Sequence, residues 1–247
     1  NLLFLSLIMD FKKITSANYS KKPRKSSLIK FIIIHYTGMQ SKRASIERLL
    51  SKKYNVSCHF LIDRKGEIFE MVETFKVAWH AGKSKWGSYV NLNQHSIGIE
   101  LENKGHKHGY QSYSKAQISK LIKLCKILKK KFKIKSSYIL GHSDIAPLRK
   151  IDPGEKFPWY KLAKKGIVIK TPKIKNIKIN SKASIRKTFF SNLHKIGYRY
   201  FNTKKNLKTD IFVIKAFQRR YLQKSISGKI DPKTLYLSHL LAHAKKK

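Results

Sequence analysis

The sequence predicts an α/β fold, with a mixed central sheet flanked by helices and a small C-terminal three-helix bundle. Two observations support this prediction. In residues 25–168, short runs of β-branched and aromatic residues alternate with segments whose apolar residues recur at helical spacing. Residues 183–247 instead contain three helical stretches in succession. A chain of 247 residues is long enough for one α/β core with such a satellite domain.

The strands and helices of the first part can be located from these patterns. The apolar run FIII at residues 31–34 predicts a buried strand that ends at His35. The same reasoning places a short helix at 45–54, a hairpin at 57–72, a strand at 97–101, an amphipathic helix at 114–132 and a strand at 138–140. This alternation is typical of an α/β domain.

A linker is predicted at residues 169–182, where Pro172 and repeated Lys, Ile and Asn residues show little helical periodicity. The helices of the bundle follow at 184–196, 210–222 and 231–244. Thr209 is the expected N-cap of the second helix. Asp231 is the expected N-cap of the third, with Pro232 at its first position.

The charge of the chain is strongly positive, with a formal net value of +42. Such a field attracts polyanions, including nucleic acid, an anionic membrane surface and cell-wall polymer whose peptide stems carry carboxylates. The lysines are scattered along the whole sequence, and no stripe of basic residues interleaved with aromatics is present. Specific nucleic-acid binding is therefore not predicted. We expect a monomer.

Residues 1–24 form an N-terminal segment that opens on an apolar run. The run is too short to span a bilayer, which takes about 20 apolar residues. It is interpreted either as the remnant of an export signal or as a segment packed on the core. The first interpretation predicts a periplasmic or secreted protein, with the cytoplasm as the alternative. The two cysteines, Cys58 and Cys125, do not make a disulfide framework, and Cys125 is expected to be a buried free thiol.

Three residues are candidates for a metal site because of where they lie. His35 and His142 each end a predicted strand, and Asp152 follows His142 by ten residues. Strand ends of α/β folds are where functional groups gather. Two imidazoles and one carboxylate are a recurrent ligand set of catalytic zinc, with a fourth position left for water. The spacing alone also allows each residue to be a satisfied polar group near a sheet edge.

Six sequence blocks sharpen this interpretation. They are FIIIHYT at 31–37, SCHFLID at 57–63, AWHAG at 78–82, SIGIELE at 96–102, GHSDIAP at 141–147 and RKIDPG at 149–154. In this order they resemble the zinc-dependent N-acetylmuramoyl-L-alanine amidases, the type-2 family related to peptidoglycan recognition proteins. The resemblance covers roughly residues 25–165. It implies a Zn²⁺ enzyme that hydrolyses the amide bond between N-acetylmuramic acid and L-alanine in peptidoglycan or muropeptides.

The resemblance also implies a role for each matching residue. His35, His142 and Asp152 correspond to the zinc ligands, Glu100 to the general base, and Lys150 to the cation that stabilises the oxyanion. The alternatives are a plain strand-end carboxylate for Glu100 and one more surface lysine for Lys150.

Other residues near these blocks have less certain roles. Tyr36, Trp79 and His80 are expected to line the groove for the glycan or peptide, although Trp79 is also compatible with a structural role. The resemblance places His59 outside the metal ligands, and we expect it either to be packed in the fold or to support a ligand. Asp144 follows His142 closely and is expected to orient it.

The C-terminal bundle resembles the three-helix peptidoglycan-binding domain, on the segments AFQRRY at 216–221 and GKIDPKTL at 228–235. The alternative is a helical appendage that only packs on the catalytic domain. Two other function classes stay open for the chain. One is a peptidoglycan recognition protein without catalysis, against which the complete ligand set argues. The other is a basic nucleic-acid binder, which only the charge suggests.

Overall fold

The computed structural model describes residues 10–174 and 184–244 of the chain. The apolar run at the N-terminus and much of the predicted linker, residues 175–182, lie outside the described residues. Within the described ranges, no helix is both long enough and apolar enough to cross a membrane.

Ten strands lie in the described residues: β1 (Lys12–Lys13), β2 (Tyr19–Ser20), β3 (Phe31–Tyr36), β4 (Phe60–Ile62), β5 (Ile68–Glu70), β6 (Val77–Ala78), β7 (Lys85–Trp86), β8 (Tyr89–Val90), β9 (Ser96–Leu101) and β10 (Ile139–Gly141). Six of them form one sheet in the order β1-β5-β4-β9-β3-β10. The hairpin pair β4 and β5 is antiparallel, and the other neighbours in this sheet are parallel. The mixed sheet is therefore as predicted.

Seven α-helices lie in the described residues: α1 (Lys42–Leu50), α2 (Lys115–Phe132), α3 (His142–Ile145), α4 (Trp159–Lys164), α5 (Ile185–Ile196), α6 (Asp210–Tyr221) and α7 (Pro232–His243). Helix α1 begins earlier than predicted because the Ser41 side chain caps it, accepting a hydrogen bond from the Ala44 amide. Asp231 caps α7 as predicted, through the Thr234 amide at 2.7 Å. Thr209 makes no side-chain capping bond to α6.

The two faces of the sheet bury different partners, because successive side chains of a strand point to opposite faces. Ile32 and Ile34 of β3 lie in a core with the apolar face of α2. Phe31 and Ile33 lie in a second core on the other face. His35 is the next residue of β3 on the same face as Phe31 and Ile33, and it pairs directly with Glu100 of β9. His35 and Glu100 therefore lie side by side beyond the end of the second core.

The C-terminal helices complete this second core. Phe189, Phe190 and Phe217 are fully buried in one cluster with Phe31 and Ile33 of the sheet. The three predicted helices are thus present, and their apolar faces are covered partly by each other and partly by the sheet. The division into a catalytic domain at 25–168 and a separate domain at 183–247 stays a prediction.

Candidate active site

Three donor atoms converge at the carboxyl end of β3. The Nδ1 atoms of His35 and His142 are 2.9 Å apart, and each lies 3.1 Å from Oδ2 of Asp152. All three residues are buried. Strand β3 supplies His35, and the turn from β10 into α3 supplies His142, because these two strands are parallel neighbours. The structure thus brings together the three residues that the sequence singled out.

Hydrogen bonds at the far side of His142 determine which of its ring nitrogens faces the cluster with a lone pair. Its Nε2 lies 3.1 Å from the carbonyl oxygen of Ala81, a group that can only accept. A proton on Nε2 that bonds to this carbonyl leaves Nδ1 with the lone pair that a metal ligand needs. The Arg149 guanidinium donates to the same Ala81 carbonyl and also to the backbone carbonyl of Lys83, and these bonds fix this edge of the site.

A longer chain of hydrogen bonds determines which ring nitrogen of His35 carries the proton. The Ser96 hydroxyl donates to the Leu92 carbonyl at 2.6 Å, so its oxygen accepts from Nε2 of His80 at 3.2 Å. This leaves Nδ1 of His80 to accept from Nε2 of His35 at 3.0 Å. His80 is a neutral ring, since burial, followed by the neighbouring His35, lowers its pKa well below the ordinary value. His35 therefore also presents an unprotonated Nδ1 to the cluster.

These three donors fit a zinc ion. Atoms that share one zinc at roughly 2.0–2.1 Å in tetrahedral geometry lie about 3.3 Å from one another. The observed spacings of 2.9–3.1 Å are close to this value. Two nitrogen lone pairs and a carboxylate oxygen at such distances repel one another unless a cation or a proton lies between them. His35, His142 and Asp152 are the group of potential ligands that stands out among the described residues.

The loop that carries Asp152 is held by its neighbours. The Asp152 carbonyl accepts from the Ser143 amide at 2.9 Å, which joins it to the turn that carries His142. The Pro153 carbonyl accepts from the hydroxyls of Tyr110 and Tyr113 at 2.7 and 2.6 Å. The carboxylate is therefore positioned through its backbone on both sides.

Burial sets the protonation of these groups. Burial, then His142, lowers the pKa of His35 to about 4, so the ring is neutral at neutral pH. Burial alone would raise the pKa of Asp152, but the two imidazoles, His142 first, hold it below its ordinary value. Asp152 is therefore the anion of the cluster.

Glu100 lies next to His35, and its pKa is raised, whereas the pKa of Asp152 is lowered. Its side chain is 8% exposed, and its Oε2 has no hydrogen-bond partner among the described residues. Burial, followed by the charge of Asp152, raises its pKa to about 8, and the Lys150 ammonium opposes this shift. Lys150 lines the same cavity as Glu100 and His35.

A cavity of about 560 Å³ opens above these groups. Its lining includes His35, His142, Asp152, Glu100 and Lys150. Further basic side chains also line it: Arg48, Lys107, His108 and Arg149. A positively charged wall around buried metal-binding donors suits a ligand with carboxylate groups.

Comparisons with known proteins identify the family of this site. The sequence profile described as N-acetylmuramoyl-L-alanine amidase matches residues 24–155, which is more than half of the chain. The chain belongs to this family. The amidase AmiD of Escherichia coli K12 is 40% identical over 151 residues, which cover 56% of this chain and 54% of AmiD. The 1,6-anhydro-N-acetylmuramyl-L-alanine amidase AmpD of Haemophilus influenzae is 33% identical over 62% of this chain and 90% of AmpD.

Solved structures of amidases share the fold over more of the chain. E. coli AmiD, in complex with the substrate anhydro-N-acetylmuramic acid-L-Ala-D-γ-Glu-L-Lys, superposes with a TM-score of 0.77 at 30% identity, covering 92% of this chain and 93% of AmiD. AmpDh3 of Pseudomonas aeruginosa superposes with a TM-score of 0.78 at 25% identity, covering 95% of this chain and 99% of AmpDh3. Coverage this high extends into the C-terminal helices. In sequence, by contrast, the chain spans only about half the length of AmiD.

The residues predicted to line the groove lie in three different places. Tyr36 lines the cavity, and its hydroxyl bonds to Nδ1 of His106 at 3.0 Å. His80 touches the cavity but is 5% exposed, behind His35. The indole of Trp79 donates to the Ser20 hydroxyl at 3.3 Å, away from the cavity lining. Their contacts with substrate stay predictions.

His59 is engaged away from the three donors. Its Nδ1 accepts from the Gly98 amide at 3.0 Å, and its Nε2 lies 3.1 Å from the Lys76 carbonyl. Ser96, Tyr110 and Arg149, which hold the candidate ligands or their loops in place, are not predicted from the sequence. A hydroxyl, a phenol and a guanidinium at these positions give no signal without the fold.

Proposed function

We propose that this protein hydrolyses the amide bond between N-acetylmuramic acid and L-alanine in peptidoglycan or its fragments, with Zn²⁺ held by His35, His142 and Asp152. The observation that carries the proposal is the convergence of three lone-pair donors beside a buried carboxyl group at the floor of a cationic cavity. Membership of the amidase family supports it.

Each residue of the floor has a chemical task in this proposal. Zinc, when bound, supplies a Lewis acid that lowers the pKa of a water molecule to about 7. Glu100 accepts the proton of the attacking water and returns it to the leaving amine. Its raised pKa suits this task, because a proton carrier works best near the operating pH. The Lys150 ammonium stabilises negative charge on the carbonyl oxygen under attack.

The substrate that we propose is a muropeptide with free carboxylates. AmiD was solved with an anhydro-muramyl tripeptide as its substrate, and AmpDh3 with an anhydromuramic pentapeptide. The basic side chains of the cavity, such as Arg48 and Lys107, complement carboxylates of this kind. We therefore propose that anhydro-muramyl peptides are accepted here as well. The C-terminal helices are proposed to hold wall polymer, which raises the substrate concentration near the site.

The test is release of the stem peptide from a soluble anhydro-muramyl tripeptide, followed by mass spectrometry. Chelator is expected to abolish release, and added zinc to restore it. Asp152→Asn is expected to lose bound zinc and activity. Asp63→Asn is the matched control, since Asp63 is a buried aspartate that pairs with Lys42 outside the site. No free tripeptide from zinc-loaded protein would refute the proposal.

The alternative is a peptidoglycan recognition protein without catalysis. It predicts that zinc-loaded protein binds the tripeptide and leaves it intact through a long incubation. The buried, unpartnered Glu100 oxygen argues against this alternative, because a recognition site gains nothing from it.

Export to the periplasm or the exterior is also a proposal, since the apolar run on which it depends lies outside the described residues.

A further inference from the structure

A buried polar network joins the C-terminal helices to the turn that carries His142. Asp144, two residues after His142, is 1% exposed. Its Oδ2 accepts from Nη1 of Arg220 at 2.8 Å, and its Oδ1 accepts from the Tyr198 hydroxyl at 2.6 Å. Arg220 lies in α6 and Tyr198 follows α5, so both partners belong to the C-terminal segment. A single carboxylate thus receives two hydrogen bonds from a part of the chain beyond the predicted linker.

The same network fixes the backbone on both sides of His142. Oδ2 of Asp144 also accepts from the Gly141 amide at 2.8 Å, immediately before His142. The second Nη of Arg220 donates to the Ile139 carbonyl at 2.9 Å, in strand β10. The guanidinium group therefore bonds to the strand that enters the turn and, through Asp144, to the helix that leaves it. The position of the His142 ring depends on the conformation of this turn.

The surroundings of Arg220 make the arrangement rigid. Its guanidinium lies over the Trp159 ring, 4.0 Å from the ring centre, and its side chain is 5% exposed. The Tyr198 ring is fully buried and packs against Trp86. A charged group in such surroundings is stable only with its partner, because an unpaired charge in an apolar core is strongly unfavourable. Each partner thus constrains the geometry of the other.

We propose that the C-terminal helices hold the metal ligand His142 in place, with Arg220 and Tyr198 as positioning residues that act through Asp144. This inference rests on the proposed function, because it takes His142 as a zinc ligand. Under this proposal the C-terminal helices support hydrolysis of soluble substrates as well, in addition to any binding of wall polymer. The donors must match one ion to within fractions of an ångström, so a loosened turn weakens metal binding without unfolding the protein.

The experiment uses the full chain and three variants. Tyr198→Phe removes one hydroxyl and keeps the buried ring, and Arg220→Met removes the guanidinium. Arg186→Met is the matched control, because Arg186 pairs with Asp210 at 2.5 Å within the C-terminal helices and has no contact with Asp144. Metal-free protein is titrated with zinc against a competing chelator, and hydrolysis of a soluble anhydro-muramyl tripeptide is measured in parallel.

We expect the zinc dissociation constant to rise about 10-fold or more in Arg220→Met and several-fold in Tyr198→Phe, in line with the 10–100-fold losses typical of residues that orient ligands. Arg186→Met is expected to stay within two-fold of the wild type. A purely structural loss reduces the amount of folded protein, and so the number of zinc ions bound, but not the dissociation constant of the molecules that stay folded. If Arg220→Met does not fold, Tyr198→Phe still decides the matter.

Two results would overturn the inference while leaving the proposed function intact. One is a wild-type zinc dissociation constant in folded Tyr198→Phe and Arg220→Met. The other is a loss of activity on insoluble wall with normal activity on the soluble tripeptide, which indicates wall binding alone. If the wild-type protein itself binds no zinc or releases no peptide, the proposed function fails first.

Discussion

Glu100 is expected to destabilise the metal-free protein as the pH rises, and Glu100→Gln is expected to remove this effect. Burial raises the pKa of Glu100 from 4.5 to about 8. Between these two values the folded state keeps a proton that the unfolded state releases. Because the unfolded state then binds fewer protons, the free energy of unfolding falls as the pH increases.

The size of the effect follows from the shift. Each pH unit between 4.5 and 8 costs about 1.4 kcal/mol of stability, which amounts to about 3 kcal/mol at pH 7. For a chain of this length, 1 kcal/mol corresponds to about 2–4 °C in the melting temperature. Metal-free Glu100→Gln is therefore expected to melt about 6–12 °C above the metal-free wild type at pH 7. The two should melt together near pH 4.5.

The assay is thermal unfolding of chelator-treated wild type and Glu100→Gln from pH 4.5 to pH 8. Comparing the two proteins cancels the histidines that titrate in this range, because both carry them. Zinc-loaded samples serve as the control, since a cation beside the carboxylate lowers its pKa and should shrink the difference. Parallel melting curves of the two metal-free proteins across the whole range would show that Glu100 ionises normally, and the argument for its role as proton carrier would fail.

Substitutions at three positions further test the site. His80→Leu is expected to raise the zinc dissociation constant about 10–100-fold in chelator competition, because His35 loses the acceptor that orients it. His80→Gln retains an acceptor and a donor, so its zinc dissociation constant should rise less. Gly98→Ala is expected to weaken zinc binding similarly, since the new Cβ would overlap Cγ of His80 and must displace the ring. Lys150→Ala is expected to lower kcat about 10²–10³-fold with the zinc content unchanged by elemental analysis.

Much of the fold could be predicted from local pattern. The strand at 31–34 and the amphipathic helix at 114–132 have periodicities that admit few alternatives, and both are present as β3 and α2. Elements such as α3 (His142–Ile145) are too short to show a period, so they were missed. Helix α1 was placed too late because the apolar spacing begins after the capping residue Ser41.

The contacts between distant segments could not be predicted in this way. Periodicity shows that a helix has an apolar face but not what covers it, so the sharing of one core by Phe217 and Phe31 gave no signal. The positions of His35, His142 and Asp152 in the sequence single them out as candidate metal ligands, and the resemblance to amidases supports that choice. Neither the positions nor the resemblance indicates which residues hold the three side chains in place. The His80 ring was expected in the groove, yet it hydrogen-bonds to His35 from behind, a placement that depends on the non-local pairing of β3 with β9.

The positive charge of the chain and the metal-binding donors act on different partners. A field from a net charge of +42 opposes the approach of a divalent cation, so the zinc affinity that we propose has to come from the donors themselves. Burial contributes by lowering the pKa of His35 to about 4, so protons compete weakly for its Nδ1 at neutral pH. Asp152 stays ionised beside the two rings and adds one negative charge. The basic residues at the cavity wall remain available for the carboxylates of the substrate that we propose.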